Sequence, residues 1–576
     1  MKIKRILCIA LSAIMLIAVL AGCQPNNDSG DTAAATPTPT PAQTASNTPA
    51  PPAEPILGDR ETIGADMDPV TLNIRLMNEI RNWEIVVEEF QSRVADDPIL
   101  SKISINIDWV PGGDFRDRIT MTMATGDEDL DLTFIGGWHG LDTFIRDGML
   151  TDIANFFGND QFPGLMSAFP SDLIDGAATF VPDGSGGFDR HVYRIPIMEA
   201  FFDMRGVQYR EDLRVKHGVP EITNFDGFRQ YLTTVVENEP DIEFGWSMWN
   251  GFFMAFTPHF SGNHDNVFPF FVVHGHETPF YVGLSADATQ VLSAVVVGDT
   301  EENFSKMPAG YQHDFIREYH HERLNWVEFL SPGRGTTEGE FGYSAAGYAT
   351  VTEMIRNRNN LRNDADLLEI WPDASIRLFI TETDQRNLVP GAIVSPMTTN
   401  NFICVPAWSP NVDATMYFLD WMFASRENKD LFQFGIEGLH WEAVGDNAFR
   451  VIDLPEDDRF IMQGYSFTWN PNYIRYDASV LDDPEMKAMF DYQNSRDAYT
   501  RSPLAGFTFD PSPVSTQMAS VSALSGELMT RFAIYGDRTD DVIDTWYADA
   551  VTVGLDDIRM ELINQIQTFL DIIHGG

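Results

Sequence analysis

Between residues 69 and 157 the hydrophobic period switches again and again, and nothing else in the chain narrows its fold as much. "PVTLNIRLM" (69–77) alternates apolar and polar side chains, the period-two pattern of a half-buried strand. "NWEIVVEEFQSRVADD" (82–97) then takes helical spacing, with Trp83, Ile85, Val86 and Phe90 on one side. "KISINIDWV" (102–110) alternates again. "FRDRITMTMATGD" (115–127) is helical and ends near Gly126, "DLDLTFI" (129–135) is a third strand, and "LDTFIRDGMLTDIANFF" (141–157) is helical. This β-α-β-α-β-α order predicts an α/β protein with a mainly parallel sheet and helices on both faces. In such a sheet a ligand sits beyond the carboxyl ends of the strands, where the strand order reverses. Trp138, in "GGWHG", lies three residues past such an end.

The alternation resumes further on. A strand is expected over 201–209, a helix from "REDLRVKHG", a helix over 225–240 and a strand over 242–249. "GYSAAGYAT" (342–350) reads as a strand before the helical "VTEMIRN"; 391–407 is strand-rich, 412–425 helical, and the last thirty or so residues helical to the end. There is no internal repeat.

The first residues follow a different logic. Lys2, Lys4 and Arg5 precede an apolar run from Ile6 to Leu20, closed by Ala21 and Gly22. That is the layout of a secretory signal, and the run is short against the roughly 20 residues of a bilayer span. Residues 23–64 are rich in Pro, Thr, Ala and Ser, and read as a disordered, semi-rigid tether. "LAGC" is similar to the lipobox of bacterial lipoproteins. The similarity implies a signal peptide of 1–22 and a diacylglyceryl thioether on Cys23. No later stretch is apolar enough to span a bilayer, so the body is expected on the extracellular face of the cell membrane, held there by lipid alone. Of the other cysteines, Cys8 leaves with the signal, and Cys404 in "NFICVPA" has no mate and reads as a small buried apolar residue.

Charge and motifs exclude several classes. A formal net charge of −47 is the opposite of a nucleic-acid footprint. "GYSAAG" misses the nucleophile elbow, and "HGHE" (274–277) and "YHHE" (319–322) lack the spacing of a helical zinc site. "DEDLD" (127–131) lacks the turn glycine of a calcium loop. No phosphate-binding G-x-x-x-x-G-K-[ST] is present, so the chain itself carries no ATPase. No cofactor or metal is expected, and no enzyme.

Several stretches together resemble the extracellular solute-binding proteins of carbohydrate ABC importers. They are "DLDLTFIGGWHGLDTFIRDGMLTDI", "GVQYREDLRVKHGVPEITNFDGFRQYL" and "NFICVPAWSPNVDATMYFLDWMFAS". "FGIEGLHWEAVGDN" (434–447) and "AGFTFDPSPVSTQMASVSALSGELM" (505–529) resemble the LplA/LipO-type lipoproteins of that class. The resemblance runs over roughly 65–576; Arg210 stands where many members have asparagine. It implies a two-lobed periplasmic-binding-protein-like fold with hinge strands and a C-terminal extension. Its parts would be lobe 1 over 65–200, lobe 2 over 201–375, a return segment and packing helix over 376–440, and a C-terminal extension over 441–576 that completes the lobes. It further implies a monomer that captures a mono- or oligosaccharide and delivers it to an ABC permease. A lipid-anchored glycan-active enzyme and a sugar-sensing subunit of a signalling system are the alternatives.

Aromatic rings cover the C–H faces of a sugar, and carboxylates take its hydroxyls. Trp138, Trp246, Trp249, Trp408, Trp441 and Trp469 fall beside expected strand ends, with core packing as the competing role of each. "GGWHG" offers Trp138 little local core. Tyr209 and Tyr348 match cleft positions of the resembled family, with interlobe packing as their alternative. Glu199, ahead of the first crossing strand, is placed to accept sugar hydroxyls or to lie on open surface.

Overall fold

The structure, a computed structural model, describes residues 52–575 apart from 127–128, 183–186, 198–203, 243, 247–264, 271–277, 325, 327–328, 330–342, 396–400, 456–457, 461–469 and 535–538. The chain divides into Met1–Asn47 and Thr48–Gly576, and every described residue lies in the second unit.

Strands β1 (Val70–Met77) and β2 (Ile103–Val110) pair in parallel along their whole length, and β3 (Leu132–Gly136) pairs in parallel on the other side of β1. The order β2-β1-β3 reverses at β1, which sets a switch point between the ends of β1 and β3. β2 is the edge strand and alternates buried and exposed from Ile103 to Asp108, whereas β3 is buried at every position. The sheet is not mainly parallel throughout. Asn401–Cys404 adds antiparallel beside β3, and Ile195–Pro196 adds antiparallel on the far side of that strand, because the chain there leaves and re-enters this lobe. Arg75 is 5 % exposed within β1, and it is tolerated because Nε donates to Asp108 at 2.8 Å and Nη1 to Thr122 at 2.7 Å.

Helix α2 (Trp83–Arg93) buries Val86, Val87 and Phe90, and leaves Ile85, expected inside, 39 % exposed. Phe90 fixes that rotation by seating among Phe418, Trp421 and Phe432, at ring-centroid distances of 5.5, 4.9 and 5.9 Å. Helix α3 (Gly112–Thr125) ends as expected, on Gly126 in the left-handed region. Helix α4 (Leu141–Arg146) stops well short of the helix expected over 141–157. Gly148 takes a φ of +66°, Leu150 bridges Pro406, and the Ile153 N–H donates to Val192, so the amides serve the sheet edge.

The expected tether boundary at 64 is too late. Ala53 N–H donates to the Asp152 carbonyl at 2.8 Å, and Ile56 N–H to Asp413 at 2.7 Å. Helix α1 (Arg60–Asp66) is clamped by Arg60 on both Asp97 oxygens, at 2.8 and 3.0 Å. At Gly64 an added Cβ would stand 2.2 Å from the Pro98 carbonyl oxygen. Residues from 52 on are therefore part of the packed body, and Ala53 and Ile63 contribute to its core.

The second lobe is built on a sheet ordered Ile376–Ile380, Arg205–Arg210, Ser344–Thr350 and Phe244–Trp246, antiparallel except for its last pair. The expected lobe boundary at 375 thus fell one residue before a strand that belongs to this sheet. The helix over Val351–Asn363 starts on a reciprocal cap between Thr350 and Glu353.

The segment 441–576 does not simply complete the two lobes. Val480, Met486, Met489 and Ala498 join the core of lobe 2. Residues 504–570 instead share a third core with 267–316. There an antiparallel sheet of Val267–Phe270, Phe280–Leu284 and Val291–Val295 packs with the helices Ser515–Ile534, Thr539–Thr552 and Leu555–Gly575. Arg559 donates to buried Asp299 at 2.6 Å inside it. No described helix is long and apolar enough to cross a membrane.

Candidate functional site

On the β2 side of the switch point, the ends of β1 and β2 are tied together. Asn78, just past β1, sits in the left-handed region with φ of 62°. Its N–H donates to the Val110 carbonyl at 2.9 Å, and its Oδ1 accepts the Gly112 N–H at 2.8 Å. One residue thus joins the end of β1 to the end of β2 and the start of α3.

Past β3 the chain makes a single 3₁₀ turn, Gly137–His139. The Trp138 indole lies against the backbone of Gly136: a Cβ there would stand 2.6 Å from the ring. Phe134 and His139 flank it at centroid distances of 6.1 and 5.1 Å. Trp138 is still 44 % exposed. The Arg116 Nη2 on α3 donates to the Trp138 carbonyl at 2.7 Å. His139 is 5 % exposed, and its Nδ1 accepts the Gly136 N–H at 2.9 Å. Burial, with the nearby Arg116 charge adding to it, pushes His139 down to about 4, so the ring is neutral at ordinary pH. The result is an indole docked by one side on glycine backbone and left part-exposed past the end of β3, beside the strand-order reversal, which suits stacking on an apolar ligand face.

The other expected ligand contacts fare differently. Tyr209 is a correction: it is 3 % exposed, lies in the core of lobe 2, and packs edge-on to Tyr231 at 5.4 Å. Burial and the nearby Glu211 push its phenol well above the usual range. Trp441 is also core, at 3 % exposure. Its Nε1 donates to the Gly435 carbonyl at 3.0 Å, and the Arg475 guanidinium lies 5.0 Å from its ring. Trp408 is partly buried against lobe 1, 3.5 Å from where a Cβ on Gly126 would stand. Tyr348 is half-buried in its strand, opposite Val207. Trp246 occupies a strand position opposite Ala346. Glu199, Trp249 and Trp469 lie outside the described residues, as does Cys23. The structure adds Gly136, Arg116 and His139 to the site. Of these, only Gly136 is marked in the sequence, by the glycines of "GGWHG"; Arg116 and His139 act through bonds to backbone groups that no local pattern announces.

A recess of about 360 Å³ lies in lobe 2, lined by Glu211, Arg358, Arg362, Arg377, Asp483 and Glu485 among others, and by none of the switch-point residues. Arg358 bonds Asp483 at 2.8 Å and Arg377 bonds Glu485, so ion pairs within the protein already use much of its charge. Among the described residues no three His, Cys, Asp or Glu side chains are grouped to hold a metal ion. Cys404 is buried, and desolvation pushes its thiol far above the usual range.

A model described as a domain of unknown function (DUF3502) matches residues 503–571, within the third core. No curated protein sequence matches the chain. Among solved structures, the N-glycan transport solute-binding protein NgtS from Streptococcus pneumoniae, in complex with Man1GlcNAc, is similar with a TM-score of 0.60 at 15 % identity, over 87 % of this chain and 99 % of that one. An ABC-transporter-associated solute-binding protein from Bifidobacterium longum infantis, described as HMO-binding, gives 0.53 at 13 %, over 88 % and 99 %. The alginate-binding protein AlgQ2 gives 0.55 at 14 %, over 88 % and 98 %. At such identities the likeness is one of architecture, and it is complete across those chains: this protein has the two-lobed α/β fold of the substrate-binding proteins.

Proposed function

We propose that this chain is a carbohydrate-binding protein of an ABC importer, which captures an oligosaccharide and passes it unchanged to a permease. The observation that carries the reading is Trp138, an indole docked on Gly136 and still 44 % exposed at the strand-order reversal. Solved neighbours of the same architecture are named for N-glycan, HMO and alginate binding. Ring stacking and hydroxyl hydrogen bonds favour the closed arrangement of the lobes, and closure is the state a permease reads. A net charge of −47 favours neutral glycans over polyanionic ones such as alginate. The reading includes a lipid anchor at Cys23, an extracellular position at the cell membrane, a monomeric state and no turnover of the sugar. Its test is a thermal-shift screen of residues 52–576 against neutral high-mannose, milk-type and fructose oligosaccharides, with alginate as the anionic comparison. A ligand that binds only the native state raises the melting temperature. A neutral glycan that does so, and is recovered intact, supports the reading; cleavage of the glycan contradicts it.

A further inference from the structure

We propose that His139 is a positioning residue for the ligand platform: by accepting the Gly136 N–H at Nδ1, it holds the Gly137–His139 turn so that the Trp138 indole stays on Gly136 with its outer side toward ligand. This rests on the carbohydrate reading of Trp138. Three of the five residues in "GGWHG" are glycines, and Gly140 takes a φ of 91°, so the turn has little stiffness of its own. Two side-chain bonds fix it: Arg116 on the Trp138 carbonyl, from outside, and His139 on the Gly136 N–H, from inside.

The inner bond specifies the chemistry of the ring. A backbone N–H only donates, so Nδ1 must carry a lone pair and the proton sits on Nε2. Protonation of Nδ1 would turn N–H against N–H and break the bond. The surroundings oppose that protonation. α3 brings Phe115, at a centroid distance of 5.2 Å, and the Arg116 charge; β3 brings Phe134, edge-on at 5.7 Å. The charged residues of α4 are engaged elsewhere, Asp142 with Arg194 at 3.5 Å and Arg146 with Asp147 at 3.0 Å. The acceptor is therefore kept through the neutral range and released only in acid, near pH 4.

The test uses fluorotryptophan-labelled protein, with the Trp138 fluorine resonance assigned by its loss in Trp138→Phe. His139→Phe keeps an aromatic ring without the acceptor. His139→Asn keeps an acceptor that does not titrate. Expected for His139→Phe is a shifted, more solvent-exposed Trp138 resonance at neutral pH, and an affinity for Man5GlcNAc about tenfold weaker, the scale of one lost hydrogen bond. Expected for His139→Asn are the wild-type resonance and affinity, without the acid transition that the wild type shows near pH 4. An unchanged resonance in His139→Phe, or equal loss of affinity in both variants while both remain folded by circular dichroism, would overturn the proposal. Failure of the wild type to bind Man5GlcNAc or any other neutral glycan of the screen counts against the carbohydrate reading, whereas the resonance needs no ligand and decides His139 by itself.

Discussion

Gly136→Ala separates platform geometry from stability. The backbone at Gly136 has φ −80° and ψ 150°, open to any residue, so alanine introduces no backbone strain. Restricting the unfolded chain in this way stabilises by about 0.4–1 kcal/mol. Against that, the new Cβ would stand 2.6–2.8 Å from three atoms of the Trp138 ring. Normal carbon contact lies about 3.5–4.0 Å apart, so the ring must move by roughly 1 Å. It is a side-chain end with an exposed outer side, and tilting it off its rotamer costs about 0.5–1.5 kcal/mol. The two effects nearly cancel, and the melting temperature should move by at most about 4 °C. Glycan affinity should not survive as well. A displaced platform forfeits much of the contribution of a stacked aromatic, about 0.5–1.5 kcal/mol, or up to roughly tenfold in Kd. Isothermal titration with a glycan that binds the wild type, and a melting curve on the same sample, measure both. Unchanged affinity would refute the argument that the ring on Gly136 is the ligand platform.

Three further outcomes are expected. A chain starting at Asp66 should melt lower than one starting at residue 52, since it lacks the Arg60–Asp97 clamp and the Ile63 contact; equal melting would put 52–65 outside the body. Asp420 accepts the Gly164 and Leu165 N–H groups, and burial raises it to about 6. The folded state therefore binds its proton more tightly than the unfolded one, so the cost of the buried charge is full above pH 6 and fades toward 3.8. Wild type should gain about 2–3 kcal/mol over Asp420→Asn between those limits in denaturant titrations, and a constant difference would contradict this. Cys23→Ser should release the protein into the medium or leave an unprocessed precursor; normal membrane retention of a processed form would contradict the anchor.

Periodicity located the strands and helices of lobe 1 because each carries its own burial pattern. It could not orient α2, whose rotation depends on Phe90 finding Phe418 and Phe432, more than 300 residues away in sequence. It could not separate sheet orientation from element order either, since the antiparallel strand Asn401–Cys404 arrives from the other lobe. The third core is assembled from 267–316 and 504–570, and neither stretch alone shows that it needs the other. Proline-rich composition hid the body's first residues, because anchors such as Ala53 and Arg60 are sparse among residues that do not pack. At the site, Trp138 was legible because glycines surround it, while Tyr209 and Trp441 were not: an aromatic beside a strand end has the same local sequence whether it faces a cleft or a core. His139 was invisible for a related reason, since its function is a bond to a backbone amide, which no residue type announces.

The most direct measurement of the central claim is calorimetric titration of residues 52–576 with neutral oligosaccharides, in parallel with Trp138→Ala. The account predicts saturable one-to-one binding, recovery of the sugar unchanged, and a loss of roughly tenfold to a hundredfold in affinity on removing the ring, or about 1–3 kcal/mol. The mutant should also lose a little stability without ligand, because one side of the indole already rests on Gly136 and Phe134. A glycan bound equally well by both proteins would contradict the account, as would a mutant that loses much stability and no affinity.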